Sequence, residues 1–188
     1  MSRMPELRPW TVREERTLLS RPPFIEISSQ SVELPDGRRI DDFYQIAMPD
    51  YVSVFAEAAD GRLVLLRQYR HGVRRVCLNF PGGRVDPGET PLAAAQRELL
   101  EETGYAGAVW TALGSFVTQA NQRCQTAHFF RASGCYAQQR PESGDLEEQE
   151  IVLTEPDDAM QAARDGQFPV MEHMMLLALA THPVLGTK

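Results

Sequence analysis

One helix with clear signals at both ends is the feature that most constrains how this chain folds. Thr90 is a good N-cap residue, Pro91 suits the first helical position, and Gly104 suits the left-handed residue that ends a helix. The sequence therefore predicts a helix from Thr90 to Thr103. Its apolar positions recur at helical spacing and are expected to face a sheet: Leu92, Ala95 or Gln96, and Leu99.

Three carboxylates lie on one face of this predicted helix. Glu98, Glu101 and Glu102 are spaced i, i+3 and i+4, so they project within one turn and repel one another. A hard divalent cation such as Mg²⁺, which proteins bind with a few carboxylates together with substrate phosphates, would offset this repulsion. The alternative is a solvated acidic face at the end of a surface helix, and the helix alone does not decide between the two.

The rest of the chain alternates strands with two further helices. Strands are predicted around residues 24–34, 39–48, 51–58, 62–69, 110–116, 126–132 and 151–153, and helices at 156–165 and 170–181. This order favours an α/β fold with a mixed sheet between helices. Residues 1–23 are expected to form an arm or a first irregular strand. We predict two domains, with an N-terminal arm and antiparallel strands in 1–48 and the larger domain in 49–188.

Charge and composition limit the class of partner. The chain has 188 residues with 19 Lys and Arg against 26 Asp and Glu, a net charge of −7, which disfavours binding along a nucleic-acid backbone. The longest apolar run, residues 174–180, is too short to cross a membrane, and residues 1–10 carry charges rather than a secretion signal. Three cysteines without a short paired spacing indicate reduced thiols. We expect a cytoplasmic protein that binds neither nucleic acid nor membrane.

The turn before the predicted helix completes a longer pattern. Gly83 is followed after five residues by Glu89, and after seven more by a segment that runs from Arg97 to Tyr105. The spacing resembles the box of the Nudix hydrolase family, which implies an α/β/α sandwich with a mixed sheet, here with an N-terminal β-rich arm or small subdomain. The matching positions are Gly83, Glu89, Arg97, Glu98, Leu99, Glu101, Glu102 and Gly104.

The resemblance implies a role for each polar residue of the box. Glu98 and Glu102 count among the catalytic residues, and Arg97 and Glu89 are expected to hold the loop against the helix and orient its carboxylates. The implied reaction is attack of water on the diphosphate of a nucleoside diphosphate linked to another moiety. The implied ligands of Mg²⁺ or Mn²⁺ are the carbonyl of Gly82 and the carboxylates of Glu98, Glu101 and Glu102.

Residues upstream of the box resemble one branch of the family, the ADP-ribose pyrophosphatases and nucleoside-diphosphate-sugar diphosphatases. In that branch a Gln-aromatic-Arg strand precedes the box, and the Arg that matches Arg70 touches substrate phosphate. Arg67 is a second candidate, and the alternative for both is a solvated charge at a strand end. Asn79 stands where the branch usually has Glu, and residues 119–121 lack a proline that many ADP-ribose pyrophosphatases carry there.

Two further residues are candidates for substrate binding. Trp10 can stack on a nucleobase, and the arm that contains it can reach a partner subunit, since this branch usually forms homodimers. The alternative is that Trp10 packs on its own sheet. Arg123 lies in a polar segment, 119–128, within reach of a pocket.

The resemblance also implies a general base on the loop before the last strand. The matching region is acidic, and its candidates are Glu147, Glu148 and Glu150, of which we favour Glu147 because Glu150 borders the strand. An ordinary acidic surface loop is the alternative.

Three functions compete. The leading one is Mg²⁺-dependent hydrolysis of ADP-ribose or a nucleoside-diphosphate sugar to a nucleoside monophosphate and a sugar phosphate. The second is a nucleoside triphosphate pyrophosphohydrolase or an mRNA-decapping type, and the acidic charge speaks against RNA. The third is a non-catalytic ligand sensor, against which the intact carboxylates of the box speak.

Overall fold

The computed structural model describes residues 7–142, 144 and 148–182, and within them it contains ten strands and three helices. The strands are β1 Thr11–Arg21, β2 Ile25–Glu33, β3 Arg39–Ala47, β4 Tyr51–Ala58, β5 Leu63–Arg70, β6 Arg75–Asn79, β7 Tyr105–Ala106, β8 Val109–Gln119, β9 Arg123–Ala137 and β10 Gln149–Thr154. The helices are α1 Pro91–Thr103, α2 Pro156–Arg164 and α3 Met171–Thr181. None of these helices is long and apolar enough to cross a membrane.

The described residues form two compact units, 7–49 with 117–126, and 50–116 with 127–182. In the first unit β1, β2 and β3 form an antiparallel sheet, and β3 runs parallel to the first residues of β9. Every residue of β1 is exposed, so this strand buries neither of its faces. The division into domains at residue 48 stays a prediction, and residues 117–126, which it assigned to the larger domain, pack within the first unit.

The second unit is built on β4, β5 and the later part of β9. β4 pairs in parallel with β9 from Tyr51 opposite Ala127 to Ala56 opposite Ala132, and antiparallel with β5. β5 also pairs antiparallel with β6 and β10. Parallel and antiparallel pairs therefore coexist in one mixed sheet, as the sequence predicts.

Helices cover both faces of this sheet. Because successive side chains of a strand point to opposite faces, Val54 of β4 packs against α1, whereas Phe55 packs on the face covered by α2 and α3. Residues 63–66 of β5 are all buried, as predicted for a strand covered on both faces. The predicted α/β/α sandwich is confirmed.

Helix α1 begins and ends as the sequence predicts, but one of its buried positions was predicted wrongly. The Ala93 N–H donates to Thr90 Oγ1 at 3.2 Å, and Gly104 has the left-handed φ of 73°. Leu92 is exposed, and Ala94 is buried in its place. The two successive alanines, Ala94 and Ala95, bring the helix backbone close to the sheet, and Leu92 lies at the edge of that face.

His173 of α3 is a buried residue that contacts the turn before the box. Its Nδ1 accepts a hydrogen bond from the Phe80 N–H at 3.4 Å, and Phe80 stacks on Phe168 with ring centroids 5.5 Å apart. Burial, together with the positive charge of Arg70, lowers the pKa of His173 to about 3. The imidazole is therefore neutral at neutral pH and serves as an acceptor for the turn.

We expect His173→Gln to make the stability of the protein less sensitive to acid. An unfolded histidine has a pKa of about 6.5, so the stability contributed by the neutral folded imidazole is complete above that pH and is lost as the pH falls towards 3. Glutamine can accept the Phe80 N–H but does not titrate. Between pH 6.5 and 4.5, urea unfolding should show that the wild type loses up to ~1 kcal/mol more per pH unit than the variant. The exposed His71→Gln change is the control, and equal pH slopes for wild type and His173→Gln would contradict the expectation.

Candidate active site

Two adjacent glycines bring the turn before α1 against β4 and against the helix. A Cβ atom at Gly82 would collide with the backbone of Val52 and Ser53, and one at Gly83 would collide with the Glu98 carboxylate. The Val52 N–H donates to the Gly83 carbonyl at 2.8 Å, which holds the turn along β4. Glycine at both positions therefore lets the backbone of the turn lie next to a carboxylate of α1.

The Glu102 carboxylate is the buried member of the predicted set. The residue is 4% exposed, and its Oε2 accepts a hydrogen bond of 2.7 Å from the Gly82 N–H. A buried carboxylate is costly unless it is paired or hydrogen-bonded, so this contact directs the side chain towards the turn. It also brings Glu102 to the residue whose carbonyl is a predicted ligand.

One guanidinium offsets the repulsion between the other carboxylates. Arg97 Nη1 donates to Glu98 at 2.7 Å and to Glu101 at 3.1 Å. Its Nε and Nη2 donate to Glu89 at 3.0 and 2.9 Å, and Nη2 also donates to the Arg84 carbonyl at 2.9 Å. The hydrogen bonds with Glu89 are the main cause that raises the pKa of Arg97, and they lower the pKa of the Glu89 carboxyl. Arg97 thus joins the helix to the loop that precedes it.

The donors around the predicted metal position are all oxygens. In the described ranges, no three or more His, Cys, Asp or Glu side chains converge in a geometry that could hold a metal ion. Glu98 and Glu101 are turned towards Arg97, whereas Glu102 is turned towards the Gly82 N–H. Carboxylates and a backbone carbonyl nevertheless form the hard donor set that Mg²⁺ prefers. The residues present therefore fit a hard divalent cation.

The last carbonyls of α1 hold both ends of the segment between β9 and β10. The Glu142 N–H donates to the Glu101 carbonyl at 2.8 Å, and the Gln149 side-chain amide donates to the Glu102 carbonyl at 3.0 Å. Carbonyls at the end of a helix have no partner inside it, so these two bonds satisfy them. They also bring both ends of the acidic segment to the end of α1.

The three predicted general bases differ in where they lie. Glu150 lies inside β10, and its exposed carboxylate pairs with exposed Arg67 at 3.6 Å. Glu148 lies just before β10 and is exposed. Glu147, which the sequence favours, lies outside the described residues. Arg67, a predicted substrate residue, is thus engaged by one of the candidate bases.

Arg70, the predicted phosphate-binding residue, lies at the end of β5 beside Asn79. Its Nε donates to Asn79 Oδ1 at 3.3 Å, and Asn79 Nδ2 donates to the Cys77 carbonyl at 3.1 Å. Asn79 is fully buried. The position at which the resembling branch usually has Glu therefore holds a neutral partner of Arg70.

The two other predicted substrate residues belong to the first unit. Trp10 packs edge-on against Phe43, with ring centroids 5.5 Å apart, and remains 48% exposed. Arg123 opens β9 with a positive φ of 63°. Substrate binding by either residue stays a prediction.

Sequence reasoning assigned no role to three polar residues that lie around the site. They are Gln68, which faces Gln149 across β5 and β10, Gln149 itself, and His173. Isolated buried polar residues have no spacing pattern of their own. Gln68 belongs to the Gln-aromatic-Arg segment and directly follows the apolar residues 63–66, but neither feature indicates which groups its amide contacts.

Known proteins are similar to this chain in sequence and in fold. The NUDIX domain model matches residues 48–174. The ADP-ribose pyrophosphatase of Bacillus subtilis (strain 168) is 30% identical over 143 residues, which cover 74% of this chain and 76% of that protein. A methanol dehydrogenase activator of Bacillus methanolicus is 29% identical over the same length and the same shares. The crystal structure of an ADP compounds hydrolase has a TM-score of 0.82 over 96% of this chain and 97% of its own, at 24% identity, and thus shares the fold.

The box, the fold and the match over residues 48–174 agree, and the chain belongs to the Nudix family as one of its hydrolases.

Proposed function

We propose that this Nudix hydrolase cleaves the diphosphate bond of ADP-ribose or of a nucleoside-diphosphate sugar. The products are a nucleoside monophosphate and a sugar phosphate. The observation that carries the proposal is the cluster of carboxylates on α1, held in place by Arg97 and by the Gly82 N–H. The relative named ADP-ribose pyrophosphatase supports ADP-ribose as the first substrate to test.

Mg²⁺ or Mn²⁺ is the proposed cofactor. When bound, such a cation neutralises charge on the diphosphate and makes a water molecule more acidic. Arg97 keeps Glu98 and Glu101 oriented through its hydrogen bonds, and Glu89 fixes Arg97 from the loop side. The residues that would hold the cation are Gly82, through its carbonyl, and Glu98, Glu101 and Glu102.

Cationic and aromatic side chains are the proposed substrate contacts. Arg70 is proposed to bind a phosphate, because its planar fork pairs with two phosphate oxygens at once. Arg67 and Arg123 are proposed as further phosphate contacts, and Trp10 as a surface on which the base stacks. The exposure of Trp10 supports this role, because about half of the surface of this residue is accessible.

A separate carboxylate is proposed to take the proton of the attacking water. Carboxylates that bind a cation are poor bases, since the cation stabilises their ionised form. Glu147, Glu148 and Glu150 remain the candidates. The hydrogen bonds of Glu142 and Gln149 favour a base in this segment, because they anchor its two ends at the last carbonyls of α1, next to the carboxylates of the site.

Glu102→Gln should lower turnover of ADP-ribose by about 10²–10³-fold, since it removes one charge from the site while keeping the shape of the side chain. Turnover is measured as phosphate released from the products by an added phosphatase. The wild type should be active with Mg²⁺ and inactive in EDTA. Glu155→Gln, an exposed change at the start of α2, is the matched control and should retain wild-type turnover.

Two results would contradict this proposal. Unchanged turnover by Glu102→Gln at saturating Mg²⁺ would show that the carboxylate does not belong to the cation site. A wild type that hydrolyses nucleoside triphosphates and leaves ADP-ribose and nucleoside-diphosphate sugars intact would instead be a nucleoside triphosphate pyrophosphohydrolase.

Single changes to Gln at residues 147, 148 and 150 should identify the general base. One of the three variants should lose turnover strongly while its Mg²⁺ requirement stays close to that of the wild type, because a base acts on the proton without holding the cation. The Mg²⁺ requirement is measured as the concentration that gives half-maximal rate. Wild-type rates in all three variants would exclude this segment as the source of the base.

We also propose that the protein is a cytoplasmic homodimer in which the first unit takes part in dimerisation. Strand β1 is exposed along its whole length, and Trp10 and Leu18 present apolar surface on or beside it. The free thiols of Cys77, Cys124 and Cys135 support a reducing compartment.

Sedimentation at micromolar concentration should therefore show a species of twice the 21.1 kDa chain mass. Leu18→Glu, which places a charge on the exposed strand, should shift the equilibrium towards the monomer, since an unpaired charge is costly to bury. Glu14→Gln, on the same strand, is a control that adds no charge. A wild type that sediments as a monomer would reject the dimer.

A further inference from the structure

A chain of neutral side-chain amides holds Arg70. Gln68 is 3% exposed and Asn79 is fully buried. We assign the Gln68 amide with its oxygen towards Arg70, because the opposite orientation sets donor against donor and acceptor against acceptor. Gln68 then accepts from Arg70 Nε at 2.9 Å and donates to Gln149 Oε1 at 3.0 Å. Asn79 Oδ1 accepts from the same Nε at 3.3 Å.

The amide chain continues to the end of α1. Gln149 donates to the Glu102 carbonyl at 3.0 Å. Every bond from Arg70 through Gln68 and Gln149 to this carbonyl runs in the same direction, so the bonds polarise one another. The position of the Arg70 guanidinium is thereby tied to the helix that carries the carboxylates of the site.

Arg70 differs from Arg67 and Arg97 in the charge of its hydrogen-bond partners. Arg97 binds three carboxylates and Arg67 pairs with Glu150. Among the residues that the structure describes, the side-chain partners of Arg70 are the two amide oxygens, and it forms no ion pair. Its hydrogen-bonding geometry is thus fixed by neutral groups, and no carboxylate of the described residues is hydrogen-bonded to the guanidinium.

Two groups on α3, Glu172 and His173, lie near enough to interact electrostatically with Arg70. Burial raises the pKa of the Glu172 carboxyl, and the charge of Arg70 opposes that effect without forming an ion pair. His173 is neutral, because burial and Arg70 both lower its pKa. Among the described residues, Arg70 forms a salt bridge with neither group, and the side-chain oxygens that accept from its guanidinium are neutral amides.

We infer that Gln68 and Asn79 are positioning residues, which fix the Arg70 guanidinium while reserving its charge for a phosphate of the substrate. The inference rests on the proposed function and deepens it, since it makes Asn79 a determinant of affinity for the diphosphate. A carboxylate of the same shape at position 79 would pair with Arg70 in a poorly solvated place and compete with the phosphate. A neutral amide orients the guanidinium without that competition.

The test compares Asn79→Asp with Asn79→Ala. For ADP-ribose, Asn79→Asp should raise KM about tenfold or more with kcat changed by less than about threefold, because binding is lost equally from substrate and transition state. Asn79→Ala, which loosens Arg70 without neutralising it, should raise KM less. A purely structural role for Asn79 predicts the reverse order, since Asp preserves the shape that Ala removes. Urea unfolding of each variant shows that it is folded.

Two further variants make the test specific to Arg70. Gln68→Glu places a carboxylate beside the guanidinium at a second position, so it should also raise KM. If Asn79→Asp does not fold, Gln68→Glu takes its place in the comparison. In an Arg70→Ala background, Asn79→Asp should have no further effect on KM, because the group it neutralises is gone. An unchanged KM in both carboxylate variants, or an equal rise with and without Arg70, would overturn the inference.

A binding measurement separates this inference from the proposed function. Calorimetry without metal measures the affinity for inorganic pyrophosphate, which should be about tenfold weaker in Asn79→Asp than in the wild type. If the wild type hydrolyses no diphosphate substrate, the proposed function is refuted. The pyrophosphate affinities of the wild type and Asn79→Asp still decide whether Asn79 positions Arg70 for a phosphate. Equal affinities, or no binding by the wild type, would overturn the inference.

Discussion

Repulsion between three carboxylates within one turn of α1 is the constraint on which the rest of the site depends. Arg97 relieves it by donating to Glu98 and Glu101, and its remaining donors reach Glu89 and the Arg84 carbonyl in the preceding loop. The loop is therefore held by the same guanidinium that reduces the repulsion between the carboxylates of α1. Because an arginine fork fits carboxylates bidentately, a lysine at this position would not join the same partners.

The end of α1 organises a second part of the site through the carbonyls of its last turn. The Glu101 and Glu102 carbonyls accept hydrogen bonds from Glu142 and Gln149, which lie on either side of the acidic segment. Gln149 also continues to Gln68 and so to Arg70. One helix end thus connects the carboxylates, the segment of the candidate bases and the arginine proposed to bind phosphate.

Local patterns predicted the elements whose signals lie in consecutive residues. The bounds of α1 followed from its two caps, and the strand at residues 63–66 from four apolar residues in a row. Strand β6 was not predicted, because Arg75–Asn79 is a short stretch whose pairing with β5 supplies what the local pattern lacks. Leu92 was wrongly expected to be buried, since helical spacing defines an apolar stripe but not where the sheet meets it.

The family, the mixed α/β fold and the carboxylates of the box could be predicted from the amino-acid order, because fixed spacings on one helix and its preceding turn carry that information. The partners of those carboxylates depend on packing between distant segments, because Arg97 could have faced solvent and Glu102 is buried by the approach of the Gly82 turn. Packing also decides the partners of Arg70. Gln68, Asn79 and Gln149 lie on three different strands or strand ends, and neutral amides become a positioning chain only when sheet pairing sets them side by side and excludes water.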